Sequence, residues 1–165
     1  MKKPEIIIYT DGAAKGNPGR GGYGVVLLSG KHRKEISQGF RFTTNNRMEL
    51  LSVIVALEAL KNAGSSATIF SDSKYVVDSV EKKWVLGWEK KNFSKKMNED
   101  LWIRFLKIYR QHHVKFHWVK GHAENGENNR CDYLAVKAAE GKNLLVDDGY
   151  EKSKEKKEGI SGFFQ

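Results

Sequence analysis

The stretch NNRMELLSVIVALEAL, residues 45–60, joins two differently patterned parts of the chain and decides the fold. Its apolar residues recur at the three- and four-residue spacing of an amphipathic helix. One acid interrupts the apolar face, because at about 100° per residue Glu49 points the same way as Val53 and Leu57, whereas Arg47 points away. A carboxylate there needs a cation or a metal ion. For this residue alone, an acid favoured by the helix dipole in the first turn is the preferred interpretation, and a metal site requires other carboxylates that point the same way.

The segments on either side of this helix predict an α/β domain. Three β-rich segments precede the helix and form an antiparallel meander, with the glycine-rich residues 12–22 as a turn. Strands are predicted over residues 5–9, 23–30, 35–42, 67–73 and 114–119. Further helices are predicted over residues 75–80, 99–111 and 128–140. The order predicts one domain with a five-stranded mixed sheet, three antiparallel strands followed by parallel strands, flanked by helices.

Length and charge predict one basic globular domain. With 165 residues, 39% of them hydrophobic, the chain can build one core. We assign the domain to residues 1–140 and a charged, mobile C-terminal tail to residues 141–165. The tail carries five lysines and five acids, so the net charge of +9 belongs to the domain. A basic domain favours a polyanionic partner such as nucleic acid over a membrane, although a basic protein without such a partner has the same composition.

The remaining composition predicts an intracellular protein. The single cysteine, Cys131, excludes an internal disulfide and a multi-cysteine zinc site. The apolar run near the N-terminus is too short for a signal peptide or a membrane span. We therefore expect a cytoplasmic location, and nothing in the sequence requires more than a monomer.

Four acids are expected to converge on one site. Asp11 and Asp72 each follow an apolar strand, and they lie side by side if the two strands are parallel neighbours. Asp132 shares a helix face with Ala135 and, like Glu49, points toward the core. Each strand-ending Asp can equally be explained as a local turn or capping residue. Together, four carboxylates without His or Cys at metal spacing favour Mg²⁺ over zinc.

A carboxylate cluster in a basic domain suggests metal-assisted phosphodiester chemistry. With two divalent ions about 4 Å apart, one ion can activate the attacking water and the other can stabilise the leaving oxygen.

Four sequence blocks resemble the successive signature motifs of type 1 ribonuclease H, in order and with similar spacing. They are YTDGAAKGNPGRGGYG (9–24), TTNNRMELLSVIVALEAL (43–60), FSDSKYV (70–76) and FHWVKGHAENGENNRCDYLA (116–135), and the resemblance covers residues 5–140. It implies a ribonuclease H-like fold and an endonuclease that cuts the RNA strand of RNA–DNA hybrids, such as RNA primers. It further implies two Mg²⁺ ions, with Mn²⁺ as a substitute, and products with 3′-hydroxyl and 5′-phosphate ends.

The resemblance also implies roles for single residues. Asp11, Glu49, Asp72 and Asp132 would be the catalytic metal ligands. His122, in a loop bracketed by glycines, would serve proton transfer or product release, although a lone loop histidine is more often simply solvated.

Several residues are predicted to contact the nucleic acid. Neutral groups near the carboxylates can recognise ribose hydroxyls or seat a phosphate. A basic, aromatic arm at residues 81–96, with six Lys and two Glu, can hold the DNA strand. The predicted contacts are Gly12, Asn17, Thr44, Asn45, Lys83, Trp84, Trp88, Lys90, Lys91 and Lys120. In the alternative interpretation, Thr44 or Asn45 caps the helix, and Trp84 and Trp88 are a helical packing pair. The chain has Lys74 and Asp78 where bacterial members of the family often have glutamines.

The C-terminal residues Ile160, Phe163 and Phe164 resemble a peptide that docks on a sliding clamp. Lys157 stands where such peptides have a leading glutamine. The alternative is that these apolar residues fold back on the domain or are disordered, because any short apolar tail matches such a peptide loosely.

Two other functions remain open at the level of sequence. One is a catalytically idle module that binds hybrids, which the complete set of four acids disfavours. The other is a less selective nuclease, because positive charge does not distinguish a hybrid from other duplexes.

Overall fold

The computed structural model describes residues 5–121 and 126–163, with side chains as far as residue 156. The strands are β1 (Ile6–Lys15), β2 (Gly19–Ser29), β3 (His32–Thr43), β4 (Ser66–Ser71), β5 (His113–Trp118) and β6 (Leu144–Leu145). The helices are α1 (Asn45–Glu58), α2 (Lys74–Glu81), α3 (Trp84–Lys90), α4 (Glu99–Tyr109), α5 (Gly126–Glu140) and α6 (Asp148–Phe163).

The strands form one mixed sheet in the order β5-β4-β1-β2-β3-β6. Strands β1, β2 and β3 are antiparallel, whereas β4 pairs in parallel with β1 and β5 pairs in parallel with β4. This confirms the predicted α/β architecture with one more strand than expected. The additional strand, β6, has two residues that pair with β3, and such a short segment shows no alternating pattern.

The glycine-rich segment predicted as a turn is mostly strand. Strand β1 continues through Asp11 to Lys15, and its partner β2 begins at Gly19, which leaves a short turn between them. Glycine is needed here for packing, because helices lie directly against the strand backbones.

Helix α1 lies between the sheet and α4 and is buried on several sides. Met48, Leu50 and Ile54 have no exposed surface. The prediction that Arg47 points away from the core is wrong, since only 3% of this residue is exposed. Its charge can be buried because the guanidinium is paired with Asp100 and with Asp147.

Trp102 of α4 lies at the centre of an aromatic cluster. Its ring makes edge-on contacts with Tyr75, Trp88 and Phe105 at centroid distances of 5.7, 5.7 and 5.5 Å. Its indole N–H donates to the Tyr75 hydroxyl at 2.8 Å. This cluster attaches the segment that contains the basic arm to the core. Part of that segment forms α3, a helix that was not predicted from the sequence.

The segment after residue 140 differs from the expected tail. It contributes β6 and α6, and both Asp147 and Tyr150 are buried at 7% exposure. The physical reason is the buried guanidinium of Arg47, which needs a carboxylate that this segment supplies. Within the described ranges, no helix combines the length and apolar character needed to cross a lipid bilayer.

Candidate active site

Strands β1 and β4 bring Asp11 and Asp72 together, as the sequence predicts. Their parallel pairing runs from Ile6 opposite Ala67 to Tyr9 opposite Phe70, so each acid lies two residues beyond the last pair. Asp11 is buried, with 5% of the residue exposed, and its Oδ1 accepts a hydrogen bond from the Gly12 amide at 2.9 Å.

Gly12 allows Glu49 to reach this pair. A Cβ atom at Gly12 would lie 2.3 Å from the backbone nitrogen of Glu49, so the start of α1 rests directly on β1. The ligand oxygens of Asp11, Glu49 and Asp72 all lie within 4.8 Å of one another. The unusual inward position of Glu49 thus places a third carboxylate beside the two at the strand ends.

Asp132 approaches the same place from α5. This helix crosses β2 closely, because a Cβ atom at Gly24 would lie 2.3 Å from the carbonyl oxygen of Cys131. The Cys131 thiol donates to the carbonyl of Tyr9 at 3.2 Å, next to the site. Asp132 is outside the group of three acids found among the described residues, but its charge acts on Asp11.

Burial and mutual repulsion raise the pKa values of two of these carboxyl groups. Burial, followed by the charge of Asp72, raises the pKa of Asp11 to about 7, with a smaller contribution from Asp132. Hydrogen bonds from Glu49 and the Gly12 amide oppose this rise. Burial also raises the pKa of Glu49 well above its usual range, and Asp11 and Asp72 add to the effect.

One oxygen of this cluster suits a metal ion in particular. The buried Oε2 of Glu49 has no hydrogen-bond partner among the residues that the structure describes. Such an atom is unfavourable unless a cation occupies the space beside it. Because the donor set consists of carboxylate oxygens, the site fits a hard divalent cation and not zinc.

The neutral residues predicted to contact nucleic acid lie where α1 begins. Thr44 caps the helix by accepting a hydrogen bond from the Arg47 amide at 3.2 Å. The side-chain oxygen of Asn17 accepts from the Asn45 amide at 3.2 Å, which brings the β1–β2 turn to the same place. Gly12 has an observed packing role, as described above.

The basic arm has exposed cations and two tryptophans in different environments. Trp84 is 47% exposed, with the Lys82 ammonium 5.2 Å from its ring centroid. Trp88 packs edge-on against Trp102, so the contact of this tryptophan is with α4. The side chains of Lys83, Lys90, Lys91 and Lys120 are all exposed.

A further pair beside Asp72 was missed in the sequence. The indole N–H of Trp118 donates to the backbone carbonyl of Asp72 at 3.1 Å, and the Lys74 ammonium lies 4.8 Å from the Trp118 ring centroid. Trp118 is the last residue of the edge strand β5 and is 46% exposed. The available signal was the presence of Trp118 in the signature block 116–135, two residues before Lys120.

Two predictions cannot be placed in this geometry. His122 lies outside the described residues. Phe164 does too, and the side chains of Ile160 and Phe163 lie beyond the described part of α6. Proton transfer by His122 and docking on a clamp therefore stay predictions.

The geometry agrees with comparisons to known proteins. The family model for RNase H matches residues 3–140, a span that includes all four predicted carboxylate ligands. The chain belongs to the ribonuclease H family.

Curated ribonucleases H share about half of the sequence. The ribonuclease H of Desulforamulus reducens is 55% identical over 148 residues, covering 87% of this chain and 92% of the relative. That of Syntrophus aciditrophicus is 53% identical over 151 residues, covering 88% of this chain and 87% of the relative. These relationships make the chain a ribonuclease.

Solved ribonuclease H structures have the same fold. LC9-RNase H1, a type 1 RNase H with the type 2 active-site motif, is 32% identical with a TM-score of 0.77, and the match covers 92% of this chain and 81% of that one. LC11-RNase H1 in complex with an RNA/DNA hybrid is 28% identical with a TM-score of 0.63, covering 82% of this chain and 96% of that one. The predicted membership in type 1 ribonuclease H is confirmed.

Proposed function

We propose that this ribonuclease is an endonuclease that hydrolyses the RNA strand of RNA–DNA hybrids, including RNA primers, and leaves 3′-hydroxyl and 5′-phosphate ends. The observation that carries the proposal is the convergence of Asp11, Glu49 and Asp72 within 4.8 Å, with a buried Glu49 oxygen that lacks a hydrogen-bond partner among the described residues. The domain has nine excess positive charges, yet it holds several acids together at one place. Because these acids would repel a polyanion, their presence favours a catalytic role over simple binding.

The metal ligands in this proposal are the four acids. Asp11, Glu49, Asp72 and Asp132 would hold two Mg²⁺ ions, or Mn²⁺ as a substitute. Bound divalent ions supply activation of the attacking water and stabilisation of the leaving oxygen. The protein contributes a preformed set of oxygens, because the close contact of Gly12 with α1 fixes Glu49 next to Asp11.

Other residues would select and hold the substrate. Asn17 and Asn45, which are hydrogen-bonded neighbours, can present polar groups to the ribose 2′-hydroxyls that distinguish RNA from DNA. Exposed lysines of the arm, Lys83, Lys90 and Lys91, can neutralise phosphates of the DNA strand. His122 would accept or deliver a proton as product leaves.

The first test uses four end-labelled substrates: an RNA–DNA hybrid, double-stranded RNA, double-stranded DNA, and DNA with a single ribonucleotide. Each is incubated with Mg²⁺ and with EDTA. We expect metal-dependent cleavage of the RNA strand of the hybrid alone. Hybrid binding without cleavage would instead identify an idle binding module, and cleavage of all substrates would identify a less selective nuclease.

A further inference from the structure

A groove separates the start of α4 from the first turns of α6. Residues 96–100 form one side and the face of α6 between Gly149 and Lys156 forms the other, and we call this feature the α6 groove. It has a volume of about 890 Å³. Asn17 and Thr44, both predicted to contact the hybrid, line one end, so the groove continues from the proposed substrate face.

The rim of the α6 groove is strongly cationic. Four lysines line it: Lys96, Lys152, Lys154 and Lys156. Two acids, Glu99 and Asp100, also line the groove, and Asp100 is already paired with Arg47 through two hydrogen bonds of 2.8 and 2.7 Å. The four lysines therefore outnumber the one remaining acid. A groove of this charge attracts a polyanion.

Two of the lysines are available for a partner. Lys152 and Lys156 lie one helical turn apart on α6, and both are exposed. Neither lies within 4.0 Å of a carboxylate oxygen among the described side chains. The neighbouring acid Glu151 is held by Arg41 through hydrogen bonds of 2.9 and 2.8 Å, so its charge is already compensated.

Part of the groove lining is apolar. Met97 is 72% exposed and Ile103 is 51% exposed, and the rings of Tyr75 and Tyr150 lie nearby along the lining. Water solvates such a surface poorly, and flat aromatic bases can cover it. The faces of bases are accessible in a single strand but are hidden by stacking within a duplex.

We propose that the α6 groove binds the single-stranded extension of a hybrid substrate, with Lys152 and Lys156 on its phosphates and Met97 and Ile103 under its bases. This inference rests on the proposed hybrid substrate. It gives the segment after residue 140 a role in substrate choice, favouring hybrids that continue into a single strand over blunt hybrids.

The test compares three fluorescently labelled substrates by anisotropy: a blunt RNA–DNA hybrid and two versions of it, each with a single-stranded DNA extension at a different end. Titrations are made in EDTA, so that nothing is cut, over a series of KCl concentrations. We expect tighter binding and a steeper salt dependence for one of the extended hybrids. Lys152→Gln/Lys156→Gln should lower the slope of log K against log salt for that hybrid by about 1.4, as expected for two contacts to a single strand.

A matched control is Lys31→Gln/Lys34→Gln, which removes two exposed lysines near the β2–β3 turn, at the end of the sheet opposite Asp11. This variant should keep the preference for the extended hybrid. Melting temperatures check that both double variants are folded. Glutamine has nearly the helix propensity of lysine, so α6 should persist.

Equal affinity of the parent for blunt and extended hybrids would overturn the inference, and so would a failure to bind the extended hybrids at the lowest salt concentration. An equal loss of affinity for blunt and extended hybrids in Lys152→Gln/Lys156→Gln would also overturn it. Cleavage of the blunt hybrid in Mg²⁺ tests the proposed function separately. A parent protein that cuts the blunt hybrid but has no preference for an extension would refute the α6 groove alone.

Discussion

Arg47 and Asp147, one hundred residues apart in the sequence, form a buried ion pair with two hydrogen bonds, from Nε to Oδ2 at 2.7 Å and from Nη2 to Oδ1 at 2.8 Å. Asp147 also accepts a hydrogen bond from the Thr43 hydroxyl at 2.7 Å. The pair attaches the segment after residue 140 to the first turn of α1, two residues before Glu49. The C-terminal segment is therefore part of the support for the candidate metal centre.

Replacing Asp147 with Ala should destabilise the protein strongly. The substitution leaves the Arg47 guanidinium buried with Asp100 as its remaining carboxylate partner, and removing one partner of a buried pair typically costs about 3–5 kcal/mol. Urea denaturation measures the loss. The control is Glu151→Gln, which breaks the exposed pair between Arg41 and Glu151 of α6 and should have a much smaller effect. Similar losses in the two variants would contradict a special role for the buried pair.

Replacing Asp11 with Asn should abolish cleavage and preserve binding of the hybrid. Asn has nearly the same shape but contributes no charge to hold a divalent ion, so we expect the rate of hybrid cleavage in Mg²⁺ to fall by about 10³-fold or more. Single-turnover cleavage and anisotropy measure the two properties separately. Glu140→Gln, which changes an exposed acid at the end of α5, is the matched control. A cleavage rate similar to that of the parent would remove Asp11 from the mechanism.

The same substitution should stabilise the metal-free protein, and more so at higher pH. The pKa of Asp11 is about 7 in the fold, against about 3.9 in an unfolded chain. The folded state therefore binds the proton more tightly, and the parent loses stability as the pH rises from about 4 to about 7. The Asn variant lacks this loss, so its advantage should grow across that range and reach on the order of 2 kcal/mol.

Thermal melts in EDTA between acidic and mildly alkaline pH measure this difference. Saturating Mg²⁺ should reverse it, because the ion binds and stabilises the complete carboxylate set. A melting temperature for Asp11→Asn below that of the parent in EDTA at pH 8 would show that the ionised Asp11 carboxylate does not destabilise the folded state.

Local patterns explain which parts of this site could be predicted from sequence. Asp11 and Asp72 follow strands whose apolar runs mark them as neighbours in the core, and Glu49 interrupts a regular helix face. Parallel pairing of β1 and β4 then places the strand-end acids together without further information.

The missed features depend on contacts between distant segments. Helix periodicity directs Arg47 toward solvent, and its burial depends on Asp147, which no local pattern connects to it. Strand β6 is only two residues long, and its pairing with Gly39 and Phe40 exists because the following segment is anchored. Trp84 and Trp88 have the same local sequence character, and only the position of Trp102 makes one of them a packing residue.

Replacing Gly12 with Ala should damage both the fold and the metal centre. The added methyl would lie 2.3 Å from the Glu49 backbone nitrogen and 2.4 Å from the Met48 carbonyl carbon, so α1 must move away from β1. Overpacking of this kind typically costs about 1–3 kcal/mol, and any shift of α1 displaces the Glu49 carboxylate from Asp11. Urea denaturation and calorimetric titration with Mn²⁺ measure the two effects.

The control for this substitution is Gly87→Ala. Gly87 lies inside α3, and a Cβ atom there has no heavy atom within 4 Å among the described residues. Because Ala is the better helix former, this variant should be as stable as the parent or more stable by up to about 1 kcal/mol, with unchanged Mn²⁺ affinity. If Gly12→Ala behaved like Gly87→Ala in both measurements, the close contact between β1 and α1 could not be what positions Glu49.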